Sequence, residues 1–323
     1  MTPSFRPVTV LSTGGTIAMS GPRARPALDV RELVDAIPAL AEVDDLRTRS
    51  VVELPGAHLS AADALALARA ALQEAAAGRG VVVTHGTDTL EETAMLCDVL
   101  HGEAAPIVFT GAIRPAGNPG ADGPANLLDA VAAARAAQTA GLGAIVCFGG
   151  ELHAARAVRK VSSTSPAAFG SPATGPIGAV AEGRVRIAAR PWRPPPLALP
   201  EQLGARVPIV PTFLGDDGSG LLAALRDGAG AIVFVALGAG HVAPDVLSAL
   251  RVAAASVPVA VTLRPERGVL LRETYGFEGA EADVRSSGAL AAASLSAPAA
   301  RMVLLAGLGG GASRELLEAA LGG

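Results

Sequence analysis

The sequence predicts an α/β fold in two domains. The larger N-terminal domain is a mostly parallel sheet flanked by helices, and the smaller C-terminal domain is a second α/β unit. Three observations predict it. Short apolar runs of strand length alternate with helix-length segments along most of the chain, the pattern of repeated β-α-β units. The alternation breaks once, at Arg190-Pro191-Trp192-Arg193-Pro194-Pro195-Pro196, and then resumes. Half of the 323 residues are hydrophobic but only 3% are aromatic, so the core is packed from Ala, Val, Leu and Ile. Alanine favours helices and β-branched residues favour strands, which suits alternating layers of the two.

The elements follow in order. Residues 8–11 read as a short buried strand, 30–37 as a helix and 51–54 as a strand. Ser60 is a good N-cap for a helix running to 77, with Gly78 just past its end. Residues 80–84 form a strand and 90–100 a helix, whose first turn carries Glu91 and Glu92 where the helix dipole favours acids. A strand at 107–110, a helix at 125–139 and a strand at 144–148 complete the series. Such repeats imply right-handed crossovers and a sheet covered on both faces. The proline run cannot form helix or central strand, because proline lacks an N–H and fixes φ. It sets the domain boundaries: 1–189, a semi-rigid linker at 190–207, and 208–323. Beyond it come strands at 207–210, 231–237 and 257–262, and helices at 220–226, 244–255, 299–305 and 314–321.

Bulk properties narrow the partner. The net charge is −4, no basic run appears, and the single Trp and single Tyr stand apart. No nucleic-acid footprint is present, so a small molecule is the expected partner. The alanine-rich stretch 288–308 is broken by Pro298 and Arg301 and makes a poor membrane span. The N-terminus shows no cleavage-type segment. A cytoplasmic location is expected. Cys97 and Cys147 sit in apolar surroundings and read as two buried thiols, with a disulfide the minority reading.

In open α/β sheets ligands bind beyond the carboxyl ends of strands. After the first strand come Ser12-Thr13-Gly14-Gly15-Thr16, after the third Thr84-His85-Gly86-Thr87-Asp88-Thr89, and after the fourth Thr110-Gly111-Ala112-Ile113-Arg114-Pro115. The glycines permit tight turns and close backbone approach, and the threonines supply hydroxyls. Thr13 is a candidate nucleophile. Thr87, Asp88 and Lys160 are the nearest thing to an activating set, since a desolvated lysine can act as a base. Other readings stand beside this one. The Thr-Gly-Gly-Thr turn also suits a plain connection or a phosphate cradle. Lys160, near Arg156 and Arg159, also suits a solvated basic face. Asp88 also suits a helix cap.

Gly238-Ala239-Gly240-His241-Val242-Ala243 fits a loose dinucleotide fingerprint, but no ribose-binding acid follows the next strand, so a tight turn is its plain reading. The five histidines, His58, His85, His101, His153 and His241, show no paired metal-ligand spacing, and no Gly-x-Ser-x-Gly elbow is present. No metal and no cofactor are expected.

Taken with these loops, the chain resembles the bacterial-type L-asparaginase/glutaminase family over its whole length. Thr13-Gly14-Gly15-Thr16-Ile17-Ala18 matches the family's first signature. Thr84-His85-Gly86-Thr87-Asp88-Thr89-Leu90-Glu91-Glu92-Thr93-Ala94 matches its second almost throughout. Thr110–Pro115 and Ala121-Asp122-Gly123-Pro124-Ala125-Asn126-Leu127 fit the next landmarks, and Arg159-Lys160-Val161-Ser162-Ser163 falls where the family has its catalytic lysine. The resemblance implies hydrolysis of L-asparagine to L-aspartate and ammonia through a threonine acyl-enzyme. It implies Thr13 as nucleophile, Thr87, Asp88 and Lys160 as a second catalytic set, and Asp88 as the partner of the substrate's α-ammonium. It also implies a homodimer or homotetramer with sites between subunits.

Two departures bear on the substrate. The family's mobile loop carries a tyrosine, whereas Met19-Ser20-Gly21-Pro22-Arg23-Ala24-Arg25-Pro26 is short and has none. Where the family has a serine and a glutamine after the second strand, the chain has Gly56 and Ala57, which offer backbone groups alone, so side-chain recognition there is either lost or passed to His58. The chemistry is less affected, since the threonines, aspartate and lysine remain. An amidase for another small amide and a non-catalytic amino-acid sensor on the same scaffold are the alternatives. For the family's cross-subunit acid, Glu273, Glu278 and Glu281 all qualify.

Overall fold

The computed structural model describes residues 6–20, 25–26, 29–292 and 294–322. The chain divides into two compact units, Met1–Arg193 and Pro194–Gly323. No helix or strand lies between Ile187 and Ile209, where the proline run falls. Its first part is strapped to the first unit: Arg193 Nε donates to Asp98 Oδ1 at 3.1 Å, and Arg190 donates to the Gln138 and Ala140 carbonyls.

In the first unit β1 (Val8–Ser12) leads to a small ribbon, β2 (Met19–Ser20) with β3 (Arg25–Pro26), and to α1 (Val30–Asp35). Then come β4 (Leu46–Ser50), α2 (Ala61–Ala76), β5 (Gly80–Thr84), α3 (Leu90–Leu100), β6 (Ile107–Thr110), α4 (Gly123–Arg135) and β7 (Ala144–Phe148). After β7 the chain doubles back as β8 (Glu151–Ala154). A second ribbon follows, β9 (Arg159–Lys160) with β10 (Phe169–Gly170), and then β11 (Gly178–Ala181) and β12 (Arg184–Ile187). Eight of these strands form one sheet in the order β12-β11-β8-β7-β6-β5-β1-β4. The five from β7 to β4 run parallel, and β8, β11 and β12 are antiparallel to their neighbours.

The central strands are buried along their whole length, which is why they read as mostly apolar runs. Val8, Val10, Val82, Val108 and Ile145 pack under α1 and α4 through Leu33, Leu127 and Val131. Leu11, Val81, Val83 and Phe109 are buried on the other face, where α2 and α3 lie. Cys147 belongs to the first layer and Cys97 sits on α3 in the second. Both thiols are free, so the disulfide reading falls, and burial pushes both well above the usual thiol range.

The helix from Ser60 starts as expected. Ser60 Oγ accepts from Asp63 N at 3.2 Å and Asp63 accepts from Ser60 N at 2.9 Å, a reciprocal capping box. The strand expected at 51–54 is a correction: the strand is β4, and 51–54 is loop. β4 is the sheet's edge, its sequence Leu-Arg-Thr-Arg-Ser is largely exposed, and it lacks the apolar run that marks a buried strand. The helix expected at 125–139 begins two residues earlier and ends at Arg135, followed by a 3-10 turn at Ala137–Thr139.

Gly80 opens β5 where α4 crosses it closely. A Cβ there would lie 2.1 Å from the Ala134 carbonyl oxygen, a backbone atom held by its helix. Gly80→Ala is expected to destabilise the first unit by about 3 kcal/mol through overpacking. Chemical denaturation checks this by a lower midpoint at unchanged slope.

The order of strands places the site. The chain passes from β1 outward to β4, then crosses back over β1 to β5 and proceeds the other way. β1 and β5 therefore flank the topological switch point, where the crevice of an open α/β sheet forms. Their carboxyl ends are level, Ser12 lying opposite Thr84. The loops carrying Thr13 and Thr87 leave from these two ends.

The second unit is a four-stranded parallel sheet in the order β13 (Ile209–Pro211), β14 (Ile232–Ala236), β15 (Val259–Leu263), β16 (Leu290–Ala291). α5 (Ser219–Arg226), α6 (Pro244–Ser256), α7 (Glu281–Ser286), α8 (Ala297–Gly309) and α9 (Arg314–Leu321) surround it. Its core joins Leu221, Phe234, Val246, Leu250 and Val261. The Gly238–Ala243 segment closes on itself, with Leu237 and His241 exchanging backbone bonds, which is the tight-turn reading. No described helix is long and apolar enough to cross a membrane.

Candidate active site

Each loop is built so that backbones can touch. Gly14 and Gly15 have φ of 84° and 89°, a region that glycine enters without strain. A Cβ on Gly15 would meet the Gly86 backbone at 2.6 Å, and one on Gly86 would meet Gly56 N at 2.8 Å. Three loops, after β1, after β4 and after β5, thus pack glycine to glycine. A fourth joins them, since a Cβ on Gly111 would lie 2.5 Å from the His85 carbonyl. Asn126 and Asp122 hold that fourth loop. Asn126 Nδ2 donates to Gly111 O at 3.0 Å, and Asp122 accepts from the Ile113 and Arg114 amides.

Thr13 is stitched between its neighbours. Its N–H and its hydroxyl both donate to Thr84 O, at 3.0 and 3.2 Å, and its carbonyl accepts from Leu54 N. It is 1% exposed. Thr87, three residues past Thr84 on the adjoining loop, is 7% exposed. Lys160 Nζ donates to Thr87 Oγ1 at 2.9 Å and to Asp88 Oδ1 at 2.8 Å. The lysine side chain is mostly buried and the Asp88 side chain is 63% exposed. Lys160 is therefore no member of a solvated basic face. The N-cap of α3 is Thr89, so Asp88 is no cap either.

His85 is fully buried. Burial pushes its imidazole down to about 4, so the ring is neutral at neutral pH. Its Nδ1 lies 2.8 Å from the Gly86 carbonyl, an acceptor, so the proton sits on Nδ1 and the ring braces the loop. At the third loop, Gly56 is buried against Gly86 and its carbonyl accepts from Thr89 Oγ1 at 2.9 Å. Ala57 and His58 follow on the same 3-10 turn and are exposed. The structure thus brings Thr87, Asp88 and Lys160 into direct contact, sets Thr13 and Gly56 on abutting loops, and leaves Ala57 and His58 exposed on the turn that follows Gly56. Residues 21–24 of the short loop without tyrosine lie outside the described residues.

Reading the sequence missed one part. Glu91 appears there only as an acid favoured by the helix dipole, yet its carboxylate accepts the Lys160 backbone N–H at 2.7 Å. An acid one turn past Thr-Asp-Thr was the available signal. In the second unit, Glu281 is distinct from Glu273 and Glu278, which are exposed. Glu281 is buried, accepts the Thr274 and Tyr275 amides, and pairs with His241 at 3.3 Å.

Acyl transfer to water needs a nucleophilic hydroxyl, a group to move its proton and donors for an oxyanion. Buried threonine hydroxyls, one of them bonded to a lysine amine, at the strand ends of this α/β scaffold suit an amidohydrolase. Residues 7–193 match the family model for the asparaginase N-terminal domain, and residues 206–321 match that of the glutaminase/asparaginase C-terminal domain. The chain is 39% identical over 323 residues to a probable L-asparaginase of Deinococcus radiodurans, covering 98% of this chain and 97% of that protein. It is 32% identical over 308 residues to a probable periplasmic L-asparaginase of Haemophilus influenzae, covering 92% and 87%. A crystal structure of a probable cytoplasmic L-asparaginase from Campylobacter jejuni superposes with a TM-score of 0.86 at 27% identity, covering 98% and 99%. The chain belongs to the asparaginase family.

Proposed function

We propose that the chain hydrolyses L-asparagine to L-aspartate and ammonia, with Thr13 as nucleophile. The observation that carries the reading is the three-way contact of Lys160 with Thr87 and Asp88 beside the Thr13 loop. Thr13 Oγ leaves the Thr84 carbonyl and attacks the side-chain amide carbon. The Oγ–C bond forms, the C–N bond breaks, and the hydroxyl proton departs with the leaving ammonia. Water then adds to the ester, Lys160 and Thr87 moving its proton, and Thr13 is released with aspartate. Asp88, open to solvent at its outer side, receives the α-ammonium. Gly56 and Ala57 contribute backbone groups to the substrate and His58 an imidazole. Thr87 as first nucleophile is the second reading, favoured by the lysine amine 2.9 Å from its hydroxyl.

The chain acts as a homodimer or homotetramer in the cytoplasm. Exposed Phe213, Leu214, Tyr275 and Phe277 suit subunit contacts, and the two free buried thiols suit a reducing compartment. The expected result is ammonia release fastest from L-Asn in a panel with D-Asn, L-Gln and N-substituted amides, by an oligomer in sedimentation. Calorimetric binding of asparagine without ammonia from any substrate would replace this reading with an amino-acid-binding protein. Faster release from another amide would move the substrate and leave the chemistry.

A further inference from the structure

Lysine is a poor instrument for precise placement. Its ammonium is a point charge at the end of four rotatable bonds, and holding it costs about 2 kcal/mol of rotamer entropy. Lys160 also sits on a ribbon only two residues long, β9, which lies outside the main sheet. Something must fix its main chain relative to Thr87.

Three contacts do so. β9 pairs with β10, Lys160 lying opposite Phe169, and Phe169 packs on Phe148 at the end of β7 with ring centroids 4.9 Å apart. Ser171, just past β10, bonds His153 Nδ1 at 3.1 Å. Both of these anchor the ribbon to the sheet. Among the described residues, Glu91 alone ties the Lys160 main chain to the segment that carries Thr87 and Asp88: Glu91 Oε2 accepts Lys160 N–H at 2.7 Å, while Lys160 Nζ reaches Thr87 and Asp88. Backbone and side chain of one lysine are thereby held by three residues within one short stretch, 87–91.

A carboxylate is a costly choice for accepting one backbone N–H. Burial pushes the Glu91 carboxyl above the usual range, and Glu92 adds to this, while the Lys160 amide and the Arg159 and Lys160 charges pull it back. A neutral acceptor would be cheaper for folding alone.

We propose that Glu91 is a positioning residue for Lys160, pinning its main chain so that the ammonium reaches Thr87 and Asp88 together. The proposal rests on the reading of Lys160 as catalytic. It acts through reach: the acceptor must extend from the first turn of α3 to the β9 amide. Glu91→Gln keeps that reach without the charge, and Glu91→Asp keeps the charge but retracts the acceptor by one methylene.

The test compares kcat and KM for L-asparagine in the wild type, Glu91→Gln, Glu91→Asp and Lys160→Met, and in each Glu91 variant combined with Lys160→Met. Glu91→Asp is expected to lower kcat about 100-fold, the effect of an ångström-scale misplacement, with KM nearly unchanged. Glu91→Gln is expected to stay within roughly tenfold of wild type, since a neutral acceptor is about half as strong. In the Lys160→Met background both Glu91 changes should have no further effect, because the group they place is gone. Three results overturn the proposal: Glu91→Asp at wild-type rate, Glu91→Gln worse than Glu91→Asp, or the same loss with and without Lys160. Lys160→Met at wild-type rate would instead remove the catalytic reading beneath it, an outcome the series separates from failure of Glu91 alone. Circular dichroism and thermal midpoints identify any variant that fails to fold, and the remaining one then carries the double-variant comparison.

Discussion

Thr13→Ala is expected to lower kcat for L-asparagine by at least about a thousandfold, with the fold intact. The two halves of that expectation have separate grounds. The substitution deletes the one oxygen assigned to form the acyl-enzyme, so no partial chemistry substitutes for it. Structurally the hydroxyl makes one bond, to the Thr84 carbonyl, while the Thr13 N–H keeps its own bond to the same oxygen. Losing one neutral hydrogen bond costs about 1 kcal/mol, well short of unfolding. Steady-state ammonia release and a denaturation midpoint measure both. Wild-type turnover in Thr13→Ala sinks the assignment. Thr13→Ser should recover much of the rate, because it restores the nucleophilic oxygen. If Thr87 attacks first, intact-mass spectrometry after rapid quench finds the acyl group still formed in Thr13→Ala and absent in Thr87→Val.

Lys160→Met should reduce kcat by roughly 10²- to 10⁴-fold, the usual worth of a positioned proton-transfer group. Methionine preserves the buried stem of the side chain and removes every donor. Thr87 Oγ1 and Asp88 Oδ1 lose their shared partner. Asp88 is mostly exposed, so water replaces the bond and stability changes little. A drop in kcat with an unchanged midpoint is the expected pair of results. A fall in both together would point to a structural ion pair and remove Lys160 from the mechanism.

The parts of the fold that the sequence announces are those whose burial is uniform. β1, β5, β6 and β7 are apolar on both faces, so composition alone marks them. β4 escapes because it is an exposed edge strand rich in Arg, and a neighbouring Val51-Val52 draws the reading to the wrong place. β8, β11 and β12 escape because each is four residues long and only partly buried, too short for periodicity to separate from loop. The site divides in the same way. Thr13, Thr87 and Asp88 lie beside strand ends and glycines, so their place is local information. Lys160 stands 73 positions from Thr87, so before the fold is known its residue type makes it a candidate and the resemblance brings it to the site. Glu91 lies in plain view, but nothing local says that its carboxylate turns toward a ribbon 69 positions away.

The route by which Lys160 arrives has an engineering consequence. β8 and β11 are already hydrogen-bonded to each other, Leu152 opposite Gly178 and Glu151 opposite Ala179. The chain between them, 155–177, leaves one strand and returns to its immediate neighbour. It is a cassette whose two splice points the sheet holds side by side. Grafting the corresponding segment from a relative would change how deeply an amine enters the crevice while leaving the sheet's strand order untouched.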